Sequence, residues 1–415
     1  MAKASPKKPP PHMFPCAKKG KARTFKPMKA KRSPRRVNIP YVRHGNLTRT
    51  ARQITFKNLR DLKFIYQSTP KELLKSLIKD KILQVQRGTV CPLCNKGKLG
   101  PLKKHPGRSC EEYRCRQNSC QKYVPAHASH LIFQTGHGNS HMPLEDQSAV
   151  LFCAVYNLPQ VNTHQLTGKS QTFIYKMYKS LDECRRMDVV WREKSIAFGD
   201  PGARSKLFDC EADEVDLAKE TDEGMQQEDA NTKWEQWAGI LQRGDSKKLK
   251  IFRTRASRTC RRAPGPGAIK LTDWAPRAKK ELKDKNVVLH TDGARAYHLE
   301  VDGMHHDHVV HKKRQLMKNG KPVKRHGKTV WLNSQYTKTF THKTQTGRKI
   351  MCKGGTQIID RFWQHIRRYL KCRSHPVGSA AMATRIRSAQ WAYWHRGDDL
   401  WLETGQMLER LSVAA

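Results

Sequence analysis

Cys91-Pro-Leu-Cys94 and Cys115-Arg-Gln-Asn-Ser-Cys120 are two short cysteine knuckles with twenty residues between them. The surrounding segment is rich in Lys, Arg and Gly and too poor in apolar side chains to bury a core of its own. Four thiolates on two facing knuckles satisfy the tetrahedral preference of Zn²⁺. Residues 89–127 are therefore expected to form a zinc ribbon bound by Cys91, Cys94, Cys115 and Cys120, with Cys110 and His105 as further candidate ligands. Gly97 and Gly100 suit a turn after the first knuckle, and Tyr113 and Tyr123 flank the second as strand residues do. The competing reading is a chance group of reduced core cysteines. Cys16, Cys153, Cys184, Cys210, Cys260, Cys352 and Cys372 are scattered and are read as structural. Lys103, Lys104, Arg108, Arg114, Arg116 and Lys122 offer the ribbon's surface to phosphates.

Charge narrows the partner. Lys plus Arg number 81 against 36 for Asp plus Glu, a formal charge of +45. Such a chain repels itself unless a polyanion screens it, which points to nucleic acid first and an anionic membrane surface second. No run reaches the ~18 apolar residues of a spanning helix. The opening MAKASPKKPPPHMF has no apolar core and is not a secretory signal. The expected location is intracellular: nuclear in a eukaryote, otherwise cytoplasmic or at the nucleoid. Residues 1–58 contain no acid at all, the first being Asp61. They are expected to be a disordered basic arm. Lys29–Arg36 reads as a nuclear import signal, a phosphate-binding arm or a plain solvating tail.

Residues 59–88 read as a short helical segment, in which Ser68-Thr69-Pro70 starts a helix carrying Leu73, Leu74, Leu77 and Ile78. Residues 143–187 have the layout of a helix-turn-helix. A buried helix ends at Asn157-Leu158-Pro159, a short helix covers Gln160–Leu166, and Ser170 caps a third after the turn at Gly168. The side chains facing a groove are then Lys169, Gln171, Thr172, Tyr175, Lys176 and Lys179. Ordinary three-helix packing gives the same periodicity.

From about Lys206 to His311 the pattern is one of strands and turns. Period two puts Asp209, Glu211 and Asp213 on one face of an extended run. Lys285-Asn-Val-Val-Leu-His-Thr-Asp292-Gly293 reads as a short apolar strand with an acid at its C-terminal end and a glycine turn behind it. Asp360 lies on a helix whose apolar face is Ile359, Phe362, Trp363, Ile366, Tyr369 and Leu370. Asp360 shares the other face with Gln364, Arg367 and Lys371. Two acids from neighbouring strand ends and one from a helix are what a pair of Mg²⁺ or Mn²⁺ ions needs to clamp an in-line displacement at phosphorus. Asp213, Asp292 and Asp360 are thus the candidate catalytic and metal-binding acids, with Glu211, Glu214 and Asp307 as substitutes. Arg367 and Lys371 are placed to hold the DNA backbone. The bland reading of Asp360 is a helix-start acid. Residues 312–355 form a basic, Gly- and Thr-rich insertion, and 373–415 are helical with a break at Ser374–Gly378.

The order of these pieces resembles the insertion-sequence transposases of the ISXO type and their eukaryotic Merlin relatives. The resemblance runs from about residue 60 to 395. It is carried by C-x2-C, YRC-x4-C, Trp237-Ala-Gly-Ile, HTDGARAY (290–297), His308-Val-Val-His311 and Ile359-Asp-Arg-Phe-Trp363. It implies an α/β chain whose RNase H-like core with a mixed sheet spans 200–372, preceded by a zinc ribbon and a helix-turn-helix. It also implies a homodimer or higher oligomer that cuts and joins double-stranded DNA at terminal inverted repeats, with Asp213, Asp292 and Asp360 as its triad. Three positions depart from the family. The third acid is Asp where the family carries Glu, Gly355-Thr356-Gln357 replaces His-Thr-Asn, and 312–355 is longer than the family's loop. Two other functions are compatible with the residues: a DNA-binding descendant without the chemistry, and an RNA-associated zinc-ribbon protein.

Overall fold

The computed structural model describes Tyr41 and residues 60–414, apart from 108–109, 136–141, 222–230, 312 and 374. The chain divides into Met1–Asn38 and Ile39–Ala415, and all the described residues lie in the second unit. The expected basic arm and the Lys29–Arg36 run lie outside the described residues, except Tyr41.

Helices α1 (Leu62–Gln67) and α2 (Pro70–Lys79) begin where the sequence says they should. Asp61 caps α1. Thr69 and Glu72 close a reciprocal capping box on α2, with Pro70 in its first turn. Strands β1 (Leu99–Lys104), β2 (Glu111–Cys115) and β3 (Tyr123–Pro125) make a small antiparallel sheet. Helices α3 (Leu144–Val155), α4 (Gln160–Thr167) and α5 (Gln171–Glu193) follow. Ser170 caps α5 through the Phe173 N–H, and Gly168 ends α4 in the left-handed region at φ 65°.

The central sheet contains β4 (Phe208–Thr221), β5 (Asn231–Gln242), β6 (Leu249–Arg253), β7 (Thr259–Cys260), β8 (Val287–Thr291) and β9 (Met304–His308). Its order is β6-β5-β4-β8-β9, with β7 paired to β5. The β4, β5 and β6 strands are antiparallel, whereas β4, β8 and β9 run parallel. A parallel pair needs a crossover. Helix α6 (Leu271–Leu282) lies in the connection from β6 and β7 to β8.

Helix α6 corrects the reading of Lys206–His311 as strands and turns only. Trp274, Ala278 and Leu282 recur at helical spacing and are buried. Pro276 and the flanking lysines obscure that stripe in the sequence. Residues 312–355 contain three two-residue strand pairs: β10 (Arg314–Gln315) with β15 (Trp331–Leu332), β11 (Met317–Lys318) with β12 (Lys321–Pro322), and β13 (Lys324–Arg325) with β14 (Lys328–Thr329). A longer hairpin, β16 (Lys338–Lys343) and β17 (Lys349–Gly354), leads into α7 (Gln357–Lys371). Helices α8 (Ala380–Trp394) and α9 (Leu400–Ala414) complete the described chain. No helix among the described residues is long and apolar enough to cross a membrane.

The sheet separates two cores, as alternating side chains on a doubly covered sheet require. Cys210, Ala212, Ile240 and Leu289 pack with Trp274, Leu282 and Tyr297 on the α6 face. Val215, Trp237, Leu241 and Ile251 pack with Ile359, Phe362, Trp363 and Ile366 on the α7 face. All six residues named for the apolar face of α7 are buried, together with Ile358. At ~1.5–3 kcal/mol for each large apolar side chain, that face fixes the rotation of α7 and so the direction in which Asp360 points.

Candidate functional site

The four cysteines converge. One sulfur from each of Cys91, Cys94, Cys115 and Cys120 lies within 4.8 Å of the others, and the group could hold a metal ion such as zinc. Cys94 and Cys115 approach to 3.8 Å. The backbone around them is shaped to thiolates. The Gly97 N–H donates to the Cys94 sulfur at 3.3 Å and the Gln117 N–H to the Cys115 sulfur at 3.5 Å. N–H donors from Gly97 and Lys96 pull the Cys94 thiol below its usual range, while burial pushes that of Cys115 up. Gly97 is required for space: a Cβ there would lie 2.5 Å from the Cys115 sulfur. Cys110 is outside the cluster and donates to Glu112 at 3.5 Å.

The carboxylates sit on the α7 face of the central sheet. The β4–β8 register runs from Phe208 opposite Val287 to Glu211 opposite His290. Asp213 and Asp292 each lie two residues beyond that last pair. Asp213 is not at a strand end, as the sequence suggested. It lies inside the long strand β4, beyond its last pairing with β8 and opposite Gly239 of β5. That glycine leaves the floor beside Asp213 low enough for the Trp363 ring, which a Cβ would meet at 3.2 Å. Asp292 follows the last residue of β8 and accepts from the Ala294 N–H at 3.1 Å. Asp360 stands in the first turn of α7 and accepts from the Thr356 hydroxyl at 3.3 Å.

Burial, then the charges of Glu214, Asp360 and Asp292, hold the Asp213 carboxyl well above the usual carboxylate range. Burial likewise raises Asp360, against the lowering effect of nearby His311. The three acids feel one another's charge, yet they are not among the groups whose ligand atoms all lie within 4.8 Å of one another. His311 stands out beside them because its Nε2 is buried without a hydrogen-bond partner.

The substitutes are already engaged. Glu211 is fully buried and accepts from the Ile358 and Ile359 N–H groups at 2.8 and 2.9 Å. It also pairs with Arg243 at 2.7 Å and takes the Tyr41 hydroxyl. A strand acid thus caps the positive end of α7. Arg243 completes the junction by donating to the Lys353 and Gly355 carbonyls at 2.6 and 2.7 Å. Glu214 points to the other face of the sheet, where it accepts the Tyr297 hydroxyl at 2.6 Å. Neither is a spare ligand for the Asp213 position. The sequence reading also missed Arg243 and Tyr41, for which no motif speaks.

Asp307 belongs to a different cluster. His342 Nε2 lies 2.8 Å from its carboxylate, the Cys352 thiol donates to it at 3.4 Å, and His290 Nδ1 lies 3.6 Å away. Cys352 is therefore not the isolated structural cysteine that its sequence position suggested. His290 Nε2 donates to Asp209 at 2.8 Å. Burial alone would raise the Asp209 carboxyl, but His290 and Arg243 together hold it below its ordinary value.

Of the residues named for a DNA groove, Gln171, Thr172, Tyr175, Lys176 and Lys179 are exposed along one side of α5. Lys169 is half-buried and tied to Asp146 at 2.7 Å. Arg367 and Lys371 are exposed on the polar side of α7. No protein-family model matches the chain, and no curated protein and no solved structure matches it either.

Proposed function

We propose that this protein is a DNA transposase of the ISXO/Merlin kind, with an RNase H-like core that cuts and joins strands by two-metal phosphoryl transfer. The observation that carries the reading is that Asp213 in β4, Asp292 just after the parallel neighbour β8 and Asp360 in the first turn of α7 lie near enough for their charges to act on one another. The mixed sheet supports it: three antiparallel strands followed by two parallel ones, with the first strand central.

Mg²⁺ or Mn²⁺, held by Asp213, Asp292 and Asp360, would supply Lewis-acid activation of the phosphate and of the attacking oxygen. The chain's own contribution is to hold three carboxylates where only cations relieve their repulsion. Thr356 orients Asp360, and the Glu211–Arg243 junction anchors the helix that carries it. Zinc on Cys91, Cys94, Cys115 and Cys120 would staple the ribbon. Gln171, Thr172, Lys176 and Lys179 would contact DNA from α5 as the reading helix of a helix-turn-helix, and Arg367 and Lys371 would hold the backbone near the acids.

The test is strand cleavage of the DNA flanking the protein's own gene, with Mg²⁺ or Mn²⁺. Cleavage at defined ends by the wild type and none by Asp292→Asn is expected. Salt-sensitive DNA binding with no cleavage by the wild type would leave the second reading, a DNA-binding descendant without chemistry. The Asp at position 360, one methylene shorter than Glu, is the observation that favours it.

A further inference from the structure

We infer that His290, Asp307, His342 and Cys352 form a second transition-metal site, for Zn²⁺, which clamps the β16–β17 hairpin to the central sheet. The site shares no residue with the Cys91–Cys120 cluster or with Asp213, Asp292 and Asp360.

Four observations carry it. First, the donors converge from four strands. His290 and Asp307 are register partners on parallel β8 and β9, and His342 and Cys352 come from β16 and β17. Ligand atoms of Asp307, His342 and Cys352 all lie within 4.8 Å of one another, and Cys352 groups in the same way with His290 and Asp209. Second, the separations about Asp307 match those of a tetrahedral site, while His290 and His342 fall in two overlapping groups that share Cys352. Zn–N near 2.0–2.1 Å and Zn–S near 2.3 Å place neighbouring ligand atoms roughly 3.3–3.7 Å apart. Cys352 and His290 stand 3.4 and 3.6 Å from Asp307 Oδ2.

Third, the cluster contains a polar atom with nothing to bind. The His290 side chain is fully buried, and its Nδ1 has no hydrogen-bond partner. Because a carboxylate oxygen can only accept from Nε2–H, the bond to Asp209 leaves Nδ1 as a bare lone pair facing Asp307. A buried acceptor without a donor costs ~1–3 kcal/mol, and a metal ion removes that cost. Fourth, Asp209 is the supporting group such a site requires. A carboxylate on the far nitrogen of a metal-bound imidazole fixes the tautomer and raises ligand basicity. One thiolate, two imidazoles and a carboxylate form a donor set that suits zinc and not magnesium.

The consequence is mechanical. The hairpin ends at Gly354 and the chain enters α7 three residues later, so a metal joining β16 and β17 to the central sheet helps set where the helix bearing Asp360 begins.

The test uses the full chain, purified without chelator, and counts zinc by elemental analysis. Cys352→Ala should lose one zinc equivalent relative to wild type and keep the one held by the Cys91–Cys120 group. Cys94→Ser should do the reverse. Equal zinc in wild type and Cys352→Ala overturns the inference, whatever Cys94→Ser shows. Should Cys352→Ala fail to fold, X-ray absorption on the wild-type protein decides. A mixed first shell, with nitrogen or oxygen near 2.0 Å beside sulfur near 2.3 Å, is expected. A shell of sulfur alone overturns it.

Discussion

The thiol cluster and the carboxylate trio solve the same problem, holding several anionic ligands together, in opposite ways. The thiols come from one short segment, and their sulfurs are already within 4.8 Å of one another. They can close up because backbone N–H groups of Gly97 and Gln117 donate to the sulfurs of Cys94 and Cys115. The carboxylates come from β4, the end of β8 and the start of α7, and they do not close up. Burial first, and neighbouring carboxylates after it, raise the Asp213 and Asp360 carboxyls. A preassembled site is stabilising locally even when empty. A buried carboxyl favours its neutral form, and a bound cation would reverse that preference.

The sharpest way to break this contrast is to neutralise one member of each site. Asp213→Asn should reduce metal-dependent cleavage by at least ~10²-fold, and yet raise the melting temperature of the metal-free protein at neutral pH by a few degrees (~2–4 °C per kcal/mol). A lower melting temperature would mean that Asp213 is a structural acid. Cys94→Ser should act in the other direction: zinc lost, and the 89–127 segment opened to protease while the central sheet stays protected. The stability lost there is expected to be several kcal/mol, on the order of a structural zinc site.

A pH titration sharpens the same comparison. A carboxyl raised in the folded state binds more protons there than in the unfolded chain, so stability falls as pH rises above the usual carboxylate range (~4) and through the raised folded pKa. The metal-free wild type should therefore lose stability over that window. Asp213→Asn should show a flatter profile, and Mg²⁺ should restore the wild type at the upper end. Parallel profiles for the two proteins would remove the repulsion argument.

The smallest expected effect is on DNA. Lys176→Ala and Lys179→Ala should each flatten the dependence of log K on log salt by ~0.9 if the lysine meets a phosphate of duplex DNA. Lys169→Ala should change it less, since Asp146 already holds that ammonium. An equal change for all three would place the interface elsewhere than the exposed side of α5.

Much of the fold was legible because local chemistry determines it. The capping box at Thr69, the Ser170 cap, the amphipathic α7 and the paired knuckles each depend on residues a few positions apart, so spacing alone displays them. The apolar strand ending at Asp292 and the period-two acids of β4 were readable for the same reason. Where sequence reasoning failed, the cause is physical. Helix α6 was hidden because Pro276 and its lysines mask a stripe of only three buried residues. Glu211 could not be told from Asp213, because both point to one face and only the approach of α7 decides which acid caps a helix and which stays exposed to a neighbour's charge.

The sequence by itself determined which four cysteines gather in the Cys91–Cys120 segment, the rotation of α7 and the alternation of β4. These follow from period, volume and polarity within a single element. Tertiary structure alone decided which distant residues meet. The parallel pairing of β8 with β4 brought Asp292 within reach of the Asp213 charge, and Arg243 tied Glu211 to the start of α7. The return of the β16–β17 hairpin carried His342 and Cys352 to His290 and Asp307. Pairings of this kind are fixed by sheet register and by the burial of whole faces, quantities summed over many residues, and no short stretch of chain records them.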